Sequence, residues 1–285
     1  MPFQKQAPEL TVLVERLTQE AFAPFGTVIQ NPTRSPLSWL NKPASVSANQ
    51  GSATKYLDVS LLNNHYDLAP SQKAAKAVMN MFTCSPRQLQ LESGNKPAPA
   101  TSQSVDSQHP EFGGAVPLDE QPSRPQDSRG RVFAVTILER HPFTAQTFIP
   151  TGLPASDQTT SYLVIVAPTL KVDAPSKIQA PQPSTTNTEE LPESFKPRGP
   201  GLPDLERLRA FVADGSMSVT YGPGTWHAPM VVLGKQCVDF VVVQYANGVG
   251  DEDCQEVELK ADNGRGIRVL VGKSSKDARS AGSKL

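Results

Sequence analysis

The chain has 285 residues and a formal charge of −1, with acidic and basic side chains nearly cancelling. That balance offers no basic surface for nucleic acid, and no apolar run approaches the roughly 20 residues of a membrane-crossing helix. Met1-Pro2-Phe3-Gln4-Lys5 lacks a charged region followed by an apolar block, so no secretory signal is expected, and a small-molecule partner is the default. Cys84, Cys237 and Cys254 are odd in number and lack C-x-x-C spacing, which predicts reduced thiols rather than a disulfide framework or a zinc knuckle. Cys237, beside Val238, Phe240 and Val241, is expected to be a small core hydrophobe.

Taken in chain order, short β-branched runs predict strands over residues 27–30, 56–61, 78–83, 133–138, 147–150, 162–167, 211–213, 217–221 and 238–245. Helical patterning is confined to 18–23, 71–77 and 204–208. Asp214-Gly215 predicts a tight hairpin between the strands at 211–213 and 217–221, glycine accepting a positive φ. The expectation is an all-β fold, an antiparallel barrel or jelly roll.

Residues 92–130 and 169–203 concentrate proline, serine and polar residues and bury too little apolar surface to offset ordering entropy. They read as flexible insertions in a single domain over 1–272. Residues 273–285 read as a flexible tail ending in Ser283-Lys284-Leu285, the tripeptide recognised by the peroxisomal import receptor. Without that address the chain would be cytoplasmic.

Two stretches carry the chemistry. In Glu139-Arg140-His141-Pro142-Phe143-Thr144-Ala145-Gln146, strand alternation places Glu139 and His141 on one face and sends Arg140 to the other. Tyr221-Gly222-Pro223-Gly224-Thr225-Trp226-His227 brings a second histidine from a later strand. Glu139, His141, Gln146 and His227 reproduce the layout H-x-H-x4-E … G-x-x-H of cupin barrels, with Glu139 replacing a histidine and Gln146 replacing a carboxylate. Imidazoles with oxygen donors suit zinc, nickel, manganese or iron, so all four residues are candidate ligands for one divalent ion as well as candidate catalytic groups. No nucleotide or organic cofactor is expected, since no helix N-terminus follows Gly222 and Gly224 to bind an anion. Trp226 points away from His227 and is expected to pack in the core or at an interface. His65, in a polar loop, and His109, in the first insertion, read as solvated bystanders. Asn49, Gly51 and Lys55 supply an amide, a flexible backbone and a cation, an inventory that fits a substrate carboxylate and equally a solvated turn.

These segments together resemble the ureidoglycolate lyase family. The resemblance rests on LTQEAFAPFGTVIQ (17–30), ANQGSATKYLD (48–58), VTILERHPFTAQTFIP (135–150) and residues 203–257, which include YGPGTWHAPMVVLGKQCVDFVVVQYANG. It implies a cupin-like barrel, commonly a homodimer, cleaving (S)-ureidoglycolate to glyoxylate and urea in allantoin breakdown. The insertions and tail look like a eukaryotic, fungal elaboration, and peroxisomal import is compatible with that pathway. Lys55 stands where many relatives carry arginine, keeping the charge but losing a bidentate grip. His227 is the expected base, His141 or Glu139 the acid, and Gln146 a hydrogen-bond donor or ligand. The residues alone leave open a non-catalytic cupin-like binding protein, or a different metal-dependent cupin enzyme acting on a small carboxylic acid.

Overall fold

The computed structural model describes residues 2–33, 42–91, 130–171, 191–262 and 265–272. His109, most of both insertions and the terminal tripeptide lie outside them. The first half of the chain forms β1 (Phe3–Gln6), β2 (Leu10–Arg16), α1 (Gln19–Phe22), β3 (Gly26–Ile29), β4 (Ser45–Ala48), β5 (Ala53–Tyr56), β6 (Lys76–Cys84), β7 (Gln90–Leu91), β8 (Arg131–Ala134) and β9 (Ile137–Arg140). The second half forms β10 (Gln146–Thr151), β11 (Ser161–Ala167), β12 (Arg209–Ala213), β13 (Ser218–Tyr221), β14 (Trp226–His227), β15 (Val231–Leu233), β16 (Val238–Ala246), α2 (Gly250–Asp253), β17 (Gln255–Lys260) and β18 (Ile267–Val271).

The all-β expectation holds. One large sheet runs β1-β17-β9-β14-β11-β12-β2-β18-β8-β7, with β15 also paired to β11, and a smaller sheet runs β3-β13-β10-β16-β6. The pairs β1/β17, β12/β2 and β18/β2 are parallel, so the large sheet is mixed rather than wholly antiparallel. β11 explains how the layers stack. Its even-numbered Tyr162, Val164 and Val166 join a core with Phe148 of β10, Val219 of β13 and Phe240 of β16, between the two sheets. Its odd-numbered Leu163, Ile165 and Ala167 join a second core with Leu138, Trp226, Val257 and Val269, contributed by strands from both sides of the same large sheet. A strand buried on both faces needs an unbroken apolar run, and YLVIVA supplies it. The large sheet therefore curls around one core while its other face is capped by the smaller sheet.

Several local expectations are corrected. The predicted strand at 56–61 is displaced to β5, because Asp58 turns the chain with a φ of 49°. Residues 71–77 are not helical: the Glu252 carboxylate accepts hydrogen bonds from both Ser71 N–H and Ser71 Oγ, and from Lys76 onward the chain pairs in register with β16. The single strand expected over 133–138 is two, since β8 pairs with β18 and β9 with β17. Thr18 does cap α1, its hydroxyl accepting from Ala21 N–H at 3.1 Å. Residues 204–208 make one tight turn, Leu205–Arg207.

The turn at Asp214-Gly215 is real but makes no hairpin. β12 lies in the large sheet and β13 in the small one, so the turn carries the chain between layers. Asp214 Oδ1 accepts from Ser216 N–H and Oγ. Gly215 is required by proximity, since a Cβ there would lie 2.1 Å from the Leu153 carbonyl oxygen. Cys237 is exposed, because it precedes β16 rather than lying within it. His65 is buried, with Nε2 bonded to the Phe195 carbonyl at 3.2 Å.

Candidate active site and metal centre

The polar site grows out of the layer between the sheets. In the large sheet His227 is the direct cross-strand partner of Glu139, and Glu139 of Glu256, so these side chains share a face. Alternation adds His141 to that face and turns Arg140 and Trp226 to the other. There Arg140 lies 4.6 Å over the Trp226 ring, and its guanidinium donates to Gly199 O and Gly201 O at 3.0 Å each and to Gln255 Oε1. Trp226 is fully buried and donates to Gly201 O, which fulfils the core reading. The closing end of the Pro/Ser/Thr-rich stretch thus supplies the carbonyls that let a cation lie buried behind the site.

From the small sheet, Tyr221 stacks face to face on His227, ring centroids 4.1 Å apart and planes 10° apart. Gln146 is the cross-strand partner of Tyr221, and its amide donates to Gln244 Oε1 at 2.6 Å. The His141 and His227 rings are 5.7 Å apart, and Glu139 Oε1 lies 3.4 Å from His227 Nε2. Glu139, His141 and His227, the core of the sequence-predicted set, are therefore brought together, with Gln146 on the facing layer.

Two backbone carbonyls orient the imidazoles. His141 Nδ1 lies 2.6 Å from Asp253 O and His227 Nδ1 2.9 Å from Thr225 O. A carbonyl oxygen only accepts, so both Nδ1 atoms carry the hydrogen and both Nε2 atoms turn toward Glu139. His141 Nε2, His227 Nε2, Gln146 Oε1 and the Tyr221 hydroxyl are buried without a hydrogen-bond partner among the described residues. The 3.4 Å contact between His227 and Glu139 is within ion-pair reach but is not a well-aligned hydrogen bond. Buried polar atoms are ordinarily paired, so four unpaired ones on neighbouring residues mark a place shaped for something else to bind.

Burial, with the adjoining His227, pushes the His141 pKa down to about 4. Burial raises that of Glu139, but the adjoining His227, with a smaller contribution from His141, outweighs it and leaves the carboxyl below its usual range. Burial, then Tyr162 and Glu139, raise the Tyr221 phenol well above its ordinary value, so it stays protonated. The donor atoms of Glu139, His141 and His227 lie within 4.8 Å of one another, and the two bare imidazole nitrogens and the carboxylate fit a divalent ion.

Glu139 also faces a cavity of about 310 Å³ walled by Phe82, Phe148, Pro229 and Met230, with Cys84, Ser85, Pro86 and Arg87 at its rim. Arg87 went unnoticed in the sequence, where nothing distinguishes it from a solvated arginine. Asn49, Gly51 and Lys55 are exposed on the β4/β5 hairpin, which pairs with neither the large sheet nor the smaller one, and none of them lines this cavity.

A curled all-β barrel with a carboxylate–imidazole centre between its layers defines a cupin-like enzyme scaffold. The chain belongs to the ureidoglycolate lyase family, whose model matches residues 9–264. Among its relatives, the ureidoglycolate lyase of Schizosaccharomyces pombe is 33% identical over 86% of this chain and 89% of its own length. That of Saccharomyces cerevisiae is 29% identical over 87% and 93%, and that of Burkholderia cepacia 25% over 87% and 85%.

His141 gives the site a pH dependence. Its pKa falls from an unfolded value of about 6.5 to about 4 on folding, so between these values the unfolded chain binds more protons and stability is lost as pH falls. Metal-free protein titrated with denaturant should lose on the order of 3 kcal/mol from this group across that window. His141→Gln should flatten that part of the profile, and an unaltered slope in the variant would refute the assignment.

Proposed function

We propose that this chain cleaves (S)-ureidoglycolate to glyoxylate and urea, a carbon–nitrogen lyase reaction. The observation that carries the proposal is the Glu139–His141–His227 cluster opening through Glu139 onto the cavity between the layers, in a chain of this family. The substrate is a carbinolamide, with hydroxyl, carboxylate and ureido nitrogen on one carbon. Its cleavage needs a base for the hydroxyl proton and an acid for the departing nitrogen.

The Glu139–His227 pair can serve as both in turn. It takes the hydroxyl proton, and as the oxygen's electron pair closes to the aldehyde of glyoxylate the carbon–nitrogen bond breaks and the same proton is delivered to the ureido nitrogen, so urea leaves neutral and no water is consumed. Thr225 O holds His227 in the tautomer whose Nε2 faces the reaction. His141, held unprotonated by burial, is a poor acid near neutral pH and serves as an acceptor or ligand. Gln146, with an unpaired Oε1, can accept a hydrogen bond from the bound molecule.

Glu139, His141 and His227 would hold a divalent ion, with Gln146 Oε1 as a further oxygen donor. Such an ion supplies Lewis acidity, lowering the pKa of the substrate hydroxyl. Urea release from ureidoglycolate tests the reading. His227→Ala should lower kcat by about 10²–10⁴-fold, and unchanged turnover would remove His227 from the chemistry. Metal analysis of the purified protein, paired with activity after chelation, decides the ion's part: full activity in metal-free protein eliminates the Lewis-acid version.

The homodimer belongs to the same proposal. On the outer face of the small sheet Met81, Val241 and Ile149 form one cross-strand row, with Met79 beside it, and Met79 and Met81 are 71% and 64% exposed. A nine-residue edge strand carrying such a face, as β6 does, is a natural surface for a second copy of this chain. Light scattering should give twice the chain mass for the native protein and a monomer for Met81→Lys; a native monomer would refute it. Peroxisomal import, supported by Ser283-Lys284-Leu285 and the polar residues before it, predicts punctate fluorescence of an N-terminal fusion that turns diffuse when the tripeptide is removed. Diffuse fluorescence of the intact fusion would end that part of the reading.

A further inference from the structure

We propose that Arg87 is the residue that holds the substrate's carboxylate, and that it fixes which way the substrate lies in the cavity. The inference rests on the lyase reading for the identity of the ligand, but its own support is geometric. After β6 the chain leaves the small sheet and crosses to the large one: Pro86 bridges to Val232, and Arg87 N–H donates to Val232 O at 2.8 Å. The strap formed by Cys84, Ser85, Pro86 and Arg87 thereby closes the gap between the layers and forms one rim of the cavity.

Among the lining residues Arg87 is the only cation and Glu139 the only carboxylate, while Phe82, Phe148, Pro229 and Met230 supply apolar walls. The cavity is therefore bipolar. Arg87's guanidinium makes no hydrogen bond or ion pair with any described residue, so its donors are free for a ligand. Other arginines near the site are engaged: Arg140 with Gly199, Gly201 and Gln255, and Arg198 with Pro24 and Ser194.

A free guanidinium beside an apolar pocket matches a planar carboxylate, which it can grip with two parallel hydrogen bonds. A substrate anchored there places its carbinol carbon inward, toward Glu139 and the imidazoles. The opposite orientation would set one carboxylate against another. The anchor is chemically general for small 2-hydroxy and 2-oxo acids, so glyoxylate, which retains the carboxylate after urea departs, should occupy it too.

Steady-state urea release and glyoxylate binding measured by calorimetry test the proposal together. Arg87→Gln should raise KM for ureidoglycolate and Kd for glyoxylate by about 10–100-fold each, with kcat within about two-fold if the grip is equal in ground and transition states. Its Tm should match the native protein, since the guanidinium has no partner to lose. Arg87→Lys should fall between, keeping charge without the fork. Native KM and native glyoxylate affinity in Arg87→Gln would overturn the proposal, as would a larger loss in Lys55→Gln than in Arg87→Gln. If the native protein released no urea the lyase reading would fail instead, and Arg87 would still be judged by the glyoxylate arm.

Discussion

Everything in this site depends on two hydrogen bonds from imidazole to backbone: His141 Nδ1 to Asp253 O and His227 Nδ1 to Thr225 O. They fix ring orientation and tautomer together and turn both Nε2 atoms onto the one carboxylate between the strands. The surroundings secure them. Tyr66 donates to Asp253 Oδ1, the other carboxylate contacts of Asp253 come from the N–H groups of Asn247 and Gly248, and Glu252 binds Ser71 and Asn247. The short helix that presents the Asp253 carbonyl is thus clamped from several directions, and with it the angle of His141.

The curled sheet sets the chemistry apart from its support. One face of the β9/β14 pair carries Glu139, His141 and His227 into the inter-sheet layer, while the other carries Arg140 and Trp226 into the second core. Burial lowers the Arg140 pKa to about 10, still far above neutrality, so a buried positive charge sits directly behind the carboxylate strand. It is tolerated because Gly199, Gly201 and Gln255 satisfy its donors. The two ends of the second insertion therefore have a structural duty. Thr169 pairs with Pro203, and Thr169 Oγ1 donates to Gly224 O in the turn that delivers His227.

Cys254 shows how local the electrostatics are. Burial, reinforced by Glu139 and Glu256, pushes its thiol up to about 12, so it is a thiol and not a thiolate beside the carboxylates. Its sulfur and the Glu139 and Glu256 oxygens still cluster within 4.8 Å. The cluster of Glu139 with His141 and His227, however, offers two bare imidazole nitrogens beside the carboxylate, the donors suited to an ion.

The sequence by itself determined the all-β class, most central strands, and the pairing of Glu139 with His141, because strand alternation is a property of the backbone and needs no knowledge of partners. The G-x-x-H spacing likewise announced His227. Only the tertiary structure decided that Gly215 serves an inter-sheet crossing, since a turn signal specifies a change of direction and not which sheet receives the chain. The same holds for His65, made internal by Phe195 from a distant segment, and for Tyr221, whose stacking on His227 joins strands of different layers. Arg87 is the clearest case: its place at the cavity rim comes from a strap pinned across two sheets, a long-range contact that no local pattern of residues encodes.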